Sequence, residues 1–173
     1  GLAWRAGHNQ PDGPQWNQPR SVCIIPLTCA LFRRNVFDRA GKLDERFGSY
    51  LEDVDLGLRC VAAGLQGHYV PSAVAWHAGS ATLGAWSAEM VRLLSRNQVL
   101  ITRKYLKGMP VWPKIVGQTL WGLLALKRGT GLAWLRGKIE GLQEKIVAEP
   151  CRQTVHDFVL ANEREIAAMQ AAG

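Results

Sequence analysis

The sequence predicts an α/β fold followed by a helical tail, and three patterns carry this prediction. The run SVCIIPLTCALFRR is apolar, partly β-branched and broken by Pro26, which predicts two short strands or one strand with a bulge. From about Leu51 apolar residues recur at helical spacing until Gly64, a suitable helix stop. Beyond Gly108 the composition changes to tryptophans, basic residues and helix breakers, and a last helix is predicted over about 153–170.

The remaining elements follow from local patterns. RNVFDRA predicts a short helix that ends at Gly41, where a left-handed conformation costs little. GHYV and AVAWH predict two short strands around a Pro71–Ser72 turn, which places His77 at a strand end. A long helix is predicted from Trp86 to Lys107, because one face collects the following residues: Met90, Leu93, Leu94, Asn97, Leu100 and Ile101.

The change of composition near Lys107 predicts two parts, residues 1–107 and residues 108–173. A chain of 173 residues is long enough for one domain or for a piece of a larger one. The opening stretch AGHNQPDGPQWNQPR is polar and turn-forming, and it resembles no signal peptide. Because the chain begins at Gly1 rather than Met, we expect a fragment without its N-terminal portion.

The positive charge of the chain is concentrated in one stretch. There are 21 basic and 14 acidic residues, and residues 92–138 contain ten Lys or Arg and no Asp or Glu. Such a stretch favours a phosphate-rich partner, which means a nucleotide, a nucleic acid or an anionic lipid surface. A solvated basic face that aids solubility explains the charge equally well.

Three tryptophans, Trp112, Trp121 and Trp134, lie in or next to predicted helices of this basic stretch. Trp with Lys and Arg on short amphipathic helices suits the headgroup layer of a bilayer. Individual tryptophans are also explained by a helical tail that packs on its own domain. The most apolar run, IVGQTLWGLLAL, is shorter than the roughly 18 residues of a spanning helix. The sequence therefore predicts a segment at the membrane surface with individual tryptophans in the core.

The stretch GSYLEDVDLGLRC places three carboxylates at the start of a predicted helix. Ser49 and Glu52 have the S-x-x-E spacing of a capping box, and Asp55 and Arg59 have that of an i, i+4 ion pair. These structural roles account for two of the carboxylates. Asp53 remains, and a helix N-terminus would keep it ionised, as a general base requires.

The same carboxylates permit a second interpretation, in which Asp53 and Asp55 form a D-x-D metal site. Residues i and i+2 diverge by about 200° on a helix, so this interpretation ranks below the general base. His77, judged by its neighbours alone, is better explained as a hydrogen-bonded structural residue than as a ligand.

Five motifs then occur in a recognisable order along residues 21–107. In combination they resemble the C-terminal half of a family 2 glycosyltransferase with the GT-A (Rossmann-like) fold, of the rhamnosyltransferase-like branch. The motifs are G-x-x-D-E-x-F at Gly41 to Phe47, E-D-x-D-L-x-x-R at Glu52 to Arg59, the Gly64 stop, the Pro71 turn, and His77 followed by Gly79 and Ser80.

The resemblance implies specific roles. Asp53 matches the catalytic base that deprotonates an acceptor hydroxyl, and Glu52 would orient the acceptor or the base. His77 matches a histidine that joins a divalent metal site, with Mg or Mn offsetting charge on the leaving diphosphate. The donor would be a nucleotide sugar, the acceptor a polysaccharide or polyprenyl-linked glycan of the cell envelope, and the transfer inverting.

In this family an N-terminal half binds the nucleotide and holds the metal D-x-D, and this sequence contains neither. We therefore expect the chain alone to be inactive and the parent protein to be the enzyme. Four cysteines without C-x-x-C pairing favour a reducing compartment. The resemblance implies a cytoplasmic location, with the Trp-rich basic tail in peripheral contact with the inner membrane face.

A second hypothesis, from another class, is a non-catalytic module that binds membranes or nucleic acid through the basic region 92–138. Nucleic acid is not the expected partner, because the sequence carries no recognised helix-turn-helix, RNA-binding aromatic motif or zinc finger.

Overall fold

The computed structural model describes residues 7, 10–79, 83–148 and 152–171, and these residues form six α-helices and one small two-stranded sheet. Two short strands pair with each other, and helices make up most of the remaining regular secondary structure. The elements are β1 (Arg20–Val22), α1 (Arg34–Ala40), α2 (Glu52–Ala62), β2 (Gly67–Tyr69), α3 (Ala88–Tyr105), α4 (Val111–Lys127), α5 (Gly131–Gln143) and α6 (Arg152–Ala171).

Most predicted helices lie where local sequence places them. Helix α1 ends before Gly41, whose φ is 77°, and α2 is followed by Gly64 with a φ of 66°. Helix α3 begins after Ser87, whose Oγ accepts a hydrogen bond from the Met90 N–H at 3.1 Å. These helix ends were predictable because each depends on residues within one turn of the chain.

The strands differ from the prediction. β1 and β2 are antiparallel, with Ser21 opposite His68, and the predicted Pro71–Ser72 turn is present, closed by Ala73 N–H donating to the Val70 carbonyl at 3.0 Å. After Pro26 no strand follows in the described run, because Leu27–Cys29 form a turn of 3-10 helix. The predicted strand AVAWH does not form either. A strand requires a hydrogen-bonding neighbour, and within the described ranges no segment pairs with residues 73–77. His77 therefore lies in an extended, exposed segment.

The main core lies between α2, α3 and α6. A smaller cluster joins α1 to α2 through Ala40, Leu56 and Cys60. Full burial of each large apolar side chain contributes roughly 1.5–3 kcal/mol, so α2 is fixed from two sides. The buried residues of the main core are Phe47, Leu58, Leu100, Ile101, Tyr105, Leu106 and Val155.

Helices α3 and α5 approach each other closely because α5 presents glycines to α3. A Cβ on Gly141 would lie 2.7 Å from the Arg96 carbonyl oxygen, and one on Gly137 would collide with the Arg92 carbonyl. Only glycine fits at these two positions. The predicted division at residue 107 remains a prediction, although helices on either side of it pack together.

Most basic side chains of residues 92–138 contact other residues of the same chain. Arg103 donates to the carbonyls of Gly141 and Glu144 at 2.7 and 2.8 Å, and thereby binds the end of α5. Burial lowers the pKa of Lys138 to about 8. Eight of the ten basic side chains between residues 92 and 138 have a hydrogen bond, an ion pair or a ring contact within the chain: Arg92, Arg96, Arg103, Lys104, Lys114, Arg128, Arg136 and Lys138.

The three tryptophans of the basic stretch differ in their contacts with the rest of the chain. Trp121 donates to Ser95 Oγ at 3.1 Å, and Trp134 packs over Gly122, so both contact their own domain as predicted. Trp112 is 70% exposed. Among the described residues, no helix has both the length and the apolar character needed to cross a bilayer.

Candidate active site

A strained loop precedes the acidic helix. Gly48, Tyr50 and Leu51 have φ values of 62°, 74° and 64°, and the left-handed region is unfavourable for the last two. Leu51 is the N-cap of α2 and makes no side-chain cap hydrogen bond. The predicted capping box is therefore wrong, because the left-handed turn starts the helix two residues after Ser49.

Asn97 on α3 holds this loop in place. Its two Nδ2–H groups are shared among the carbonyls of Phe47, Ser49 and Tyr50, with N···O distances of 2.8, 2.9 and 2.7 Å. The side chain is fully buried, and Arg96 Nη1 donates to its Oδ1 at 2.9 Å. Three backbone carbonyls thus depend on one amide, which determines where α2 begins.

Sequence reasoning missed the function of Asn97, although it placed the residue on the apolar face of the predicted helix. A polar residue among Leu and Ile on a buried face requires partners, and this was the available signal. Its partners lie about 50 positions away in sequence, so no local pattern identifies them.

We expect Asn97→Ala to destabilise the domain by about 1–3 kcal/mol, because it leaves buried carbonyls without a donor. Urea denaturation of the chain measures this change. The matched control is Gln153→Ala, which removes an exposed amide whose bond goes to Asp157 on its own helix. An Asn97→Ala midpoint equal to that of the control would contradict the role assigned to Asn97.

Asp55 is a buried structural carboxylate. Its Oδ1 accepts from Lys104 Nζ at 2.6 Å and from Tyr105 Oη at 2.7 Å, while Oδ2 accepts from Arg59 Nε at 3.0 Å. The predicted ion pair with Arg59 is confirmed. Because both oxygens are bound within the core, Asp55 is not available as the second carboxylate of a D-x-D metal site with Asp53.

Lys104 connects two of the sequence motifs. Its Nζ lies 2.6 Å from Asp55 and 3.2 Å from Asp44, which belongs to G-x-x-D-E-x-F. The Arg46 guanidinium, with a further contribution from Lys104, holds the pKa of Asp44 well below its usual range. The Arg59 guanidinium in turn donates to the Ala40 carbonyl at the end of α1. The motifs therefore form one ionic network around the start of α2.

Glu52 and Asp53 occupy the first turn of α2, side by side. Glu52 is half-buried, and in the described structure its Oε2 has no hydrogen-bond partner. Burial, with a smaller contribution from the Asp53 charge, raises the pKa of Glu52. Asp53 is partly exposed, and its Oδ1 accepts the Val54 N–H at 2.8 Å. The two neighbouring carboxyl groups therefore have different environments, one desolvated and one bound to the helix N-terminus.

His77 lies away from regular structure, next to Trp76, which is 98% exposed. Its carbonyl accepts the Gly79 N–H at 2.9 Å. Ser80, the last residue of the fifth motif, lies outside the described residues. Over the ranges that the structure describes, no three His, Cys, Asp or Glu side chains form a group that could hold a metal ion. These residues do not complete a metal site around His77.

The family of the chain follows from comparison with known sequences. The pattern of glycosyl transferase family group 2 matches residues 5–137, more than half of the chain. The chain therefore belongs to this family group, which confirms a family 2 glycosyltransferase domain of the GT-A type. No solved structure matches the chain.

Two similar relatives are N-acetylglucosaminyl-diphospho-decaprenol L-rhamnosyltransferases of Mycobacterium tuberculosis, strains CDC 1551 / Oshkosh and ATCC 25618 / H37Rv. Each is 35% identical over 108 residues, which is 62% of this chain and 34% of the relative. The O-antigen biosynthesis protein RfbC of Myxococcus xanthus is 36% identical over 77 residues, 38% of this chain and 6% of that protein. The chain thus matches about a third of the rhamnosyltransferases, and its resemblance to that branch is confirmed.

Proposed function

We propose that this chain is the acceptor-side, C-terminal half of an inverting glycosyltransferase, with residues 1–107 in the GT-A domain and residues 108–173 as a helical tail. The parent protein transfers a sugar from a nucleotide-sugar donor to a hydroxyl of a polysaccharide or lipid-linked acceptor. The named substrates of the relatives support this choice, since two of them act on a decaprenol-linked glycan.

Asp53 is the proposed general base. Its carboxylate takes the proton of the acceptor hydroxyl, the oxygen attacks the anomeric carbon from the face opposite the leaving group, and the bond to the nucleoside diphosphate breaks. The position of Asp53 supports this role, because the helix N-terminus favours the ionised carboxylate. The main support is the buried network around Asp55 and Asn97, which fixes the first turn of α2 and therefore the position of Asp53.

Glu52 is proposed to orient the acceptor or the base. The raised pKa of this half-buried carboxyl suits a group that hydrogen-bonds a sugar hydroxyl rather than one that remains fully solvated. A divalent ion, Mg or Mn, would stabilise the leaving diphosphate with His77 as one ligand. Within the described ranges no three His, Cys, Asp or Glu side chains form such a site, so we expect further ligands from other parts of the parent protein.

The chain by itself is proposed to be inactive and the parent to act in the cytoplasm, in peripheral contact with the inner membrane face. The alternative, a non-catalytic module that binds through region 92–138, has less support, because the glycosyltransferase family pattern covers residues 5–137 and so includes this region.

The test is turnover by the parent protein with a panel of nucleotide sugars and a polyprenyl-diphosphate-linked acceptor, with and without Mn. We expect sugar transfer from one donor. The transfer rate should fall at least 10-fold after chelation, because a metal ion contributes several kcal/mol of charge stabilisation. Absence of transfer with every donor, from protein shown to be folded, would reject the enzyme assignment. Equal transfer rates with and without the chelator would reject the proposed requirement for a divalent metal.

A further inference from the structure

We propose that one face of helices α4 and α5, here called the outward face, binds an anionic lipid surface. This proposal assigns residues to the membrane contact included in the proposed function. It rests on the proposed function in one respect: a lipid-linked acceptor is the reason why the protein needs a lipid surface. The residues of the outward face are Trp112, Ile115, Val116, Leu120, Leu123 and Leu126 on α4 and Leu132, Leu135, Ile139 and Leu142 on α5.

Helix α4 is apolar on both of its sides. At about 100° per residue, Leu120, Leu123 and Leu126 fall on one side of the helix, and this side is exposed. The opposite side, which packs on the domain, carries Trp121, Gly122 and Ala125 beside Gln118. A helix on a water-facing surface normally turns its apolar residues inward.

Helix α5 also exposes apolar residues. Its inward side carries Trp134, Gly137, Gly141 and Lys138, whose Nζ donates to the Ser95 carbonyl at 3.0 Å. Leu132 on its outward side is 85% exposed. The two helices pack against each other, and both expose apolar side chains. A patch of ten large apolar residues is more than scattered surface exposure accounts for and marks a binding surface.

The charge near the outward face identifies the occupant. No acidic residue occurs from position 90 to position 139, whereas Lys127 and Arg128 are exposed at the end of α4. Glu140 on α5 is neutralised by Arg92 and Arg136. A surface that combines exposed apolar residues, a tryptophan and cations without free carboxylates matches the boundary between acyl chains and anionic headgroups.

A second copy of the chain fits this face less well. Self-association through the outward face would bring the exposed Lys127 and Arg128 of one copy towards the same cations of the other. Neither copy offers an unpaired carboxylate there to balance them. Anionic lipid supplies the missing negative charge, and α4, about 25 Å long at 1.5 Å per residue, can lie flat along the surface.

Cosedimentation of the 173-residue chain with vesicles tests this docking directly. We expect binding to vesicles of phosphatidylglycerol and phosphatidylcholine, with weaker binding at 500 mM salt or on pure phosphatidylcholine. The variant Leu120→Gln/Leu123→Gln/Leu126→Gln should lose about 10-fold or more in affinity, because three inserted side chains become polar. Its melting temperature should not fall, since all three side chains are exposed.

The matched control is Leu31→Gln, which changes an exposed leucine far from α4 in sequence and should bind as the unchanged chain does. Equal vesicle binding by the triple variant, or no binding by the unchanged chain, would overturn the inference. A dimer that the triple variant dissociates would also overturn it, by assigning the face to a second copy.

These outcomes are separable from those of the proposed function, because vesicle binding requires no turnover. A parent protein that transfers sugar to a short water-soluble acceptor but binds no vesicles would retain the enzyme assignment and reject the lipid surface.

Discussion

Asp53→Asn in the parent protein is expected to lower the rate of sugar transfer about 10²–10⁴-fold, the usual contribution of a general base. The amide cannot accept the acceptor proton at neutral pH. Its Oδ1 can still accept the Val54 N–H, so the first turn of α2 should keep its geometry. Initial rates with the active donor, at saturating donor and acceptor, measure the loss in kcat.

The matched control is Asp38→Asn, an identical change of charge on the exposed side of α1. It should leave transfer within about 2-fold and thermal stability within about 0.5 kcal/mol, as surface substitutions usually do. Full turnover by Asp53→Asn would reject the base assignment and leave Glu52 as the remaining candidate carboxylate of the site.

Asp55→Asn is expected to lower the free energy of unfolding by about 3–5 kcal/mol, a large part of the stability of an ordinary domain. The variant leaves the buried Lys104 ammonium and the Arg59 guanidinium without their carboxylate. The remaining carboxylate beside Lys104 is that of Asp44, at the longer distance of 3.2 Å. Urea denaturation of the chain, monitored by tryptophan fluorescence, measures the shift.

Glu89→Gln is the comparison for this prediction, since it also removes one carboxylate from an ion pair with arginine but at an exposed position. Exposed pairs contribute about 0–1 kcal/mol, so its midpoint should hardly move. Equal midpoints for the two variants would show that the Lys104–Asp55–Arg59 network does not stabilise the fold.

The helices were predictable from the sequence for a simple reason. Their apolar periodicity and their ends at Gly41 and Gly64 depend on neighbours within four residues. The ion pair of Asp55 with Arg59 was predictable on the same basis. The capping box was not, because it assumed that the helix would begin at the nearest favourable Ser rather than after a left-handed turn.

The strand predicted over residues 73–77 illustrates a second limit. Alternating apolar residues make a segment suitable for a sheet, but a strand exists only where another strand hydrogen-bonds to it. GHYV pairs with β1, whereas residues 73–77 pair with no other segment among the described residues. Local pattern thus identified the turn at Pro71 but not the extent of the sheet.

By itself the sequence determined the family, most of the helices and the ion pair of Asp55 with Arg59, because motifs and periodicity are properties of neighbouring residues. Tertiary structure alone decided that Asn97 holds the strained loop and that Lys104 joins two motifs, since both act across about 50 positions. It also decided that α4 turns its leucines outward, because periodicity defines the faces of a helix but only packing decides which of them meets the core.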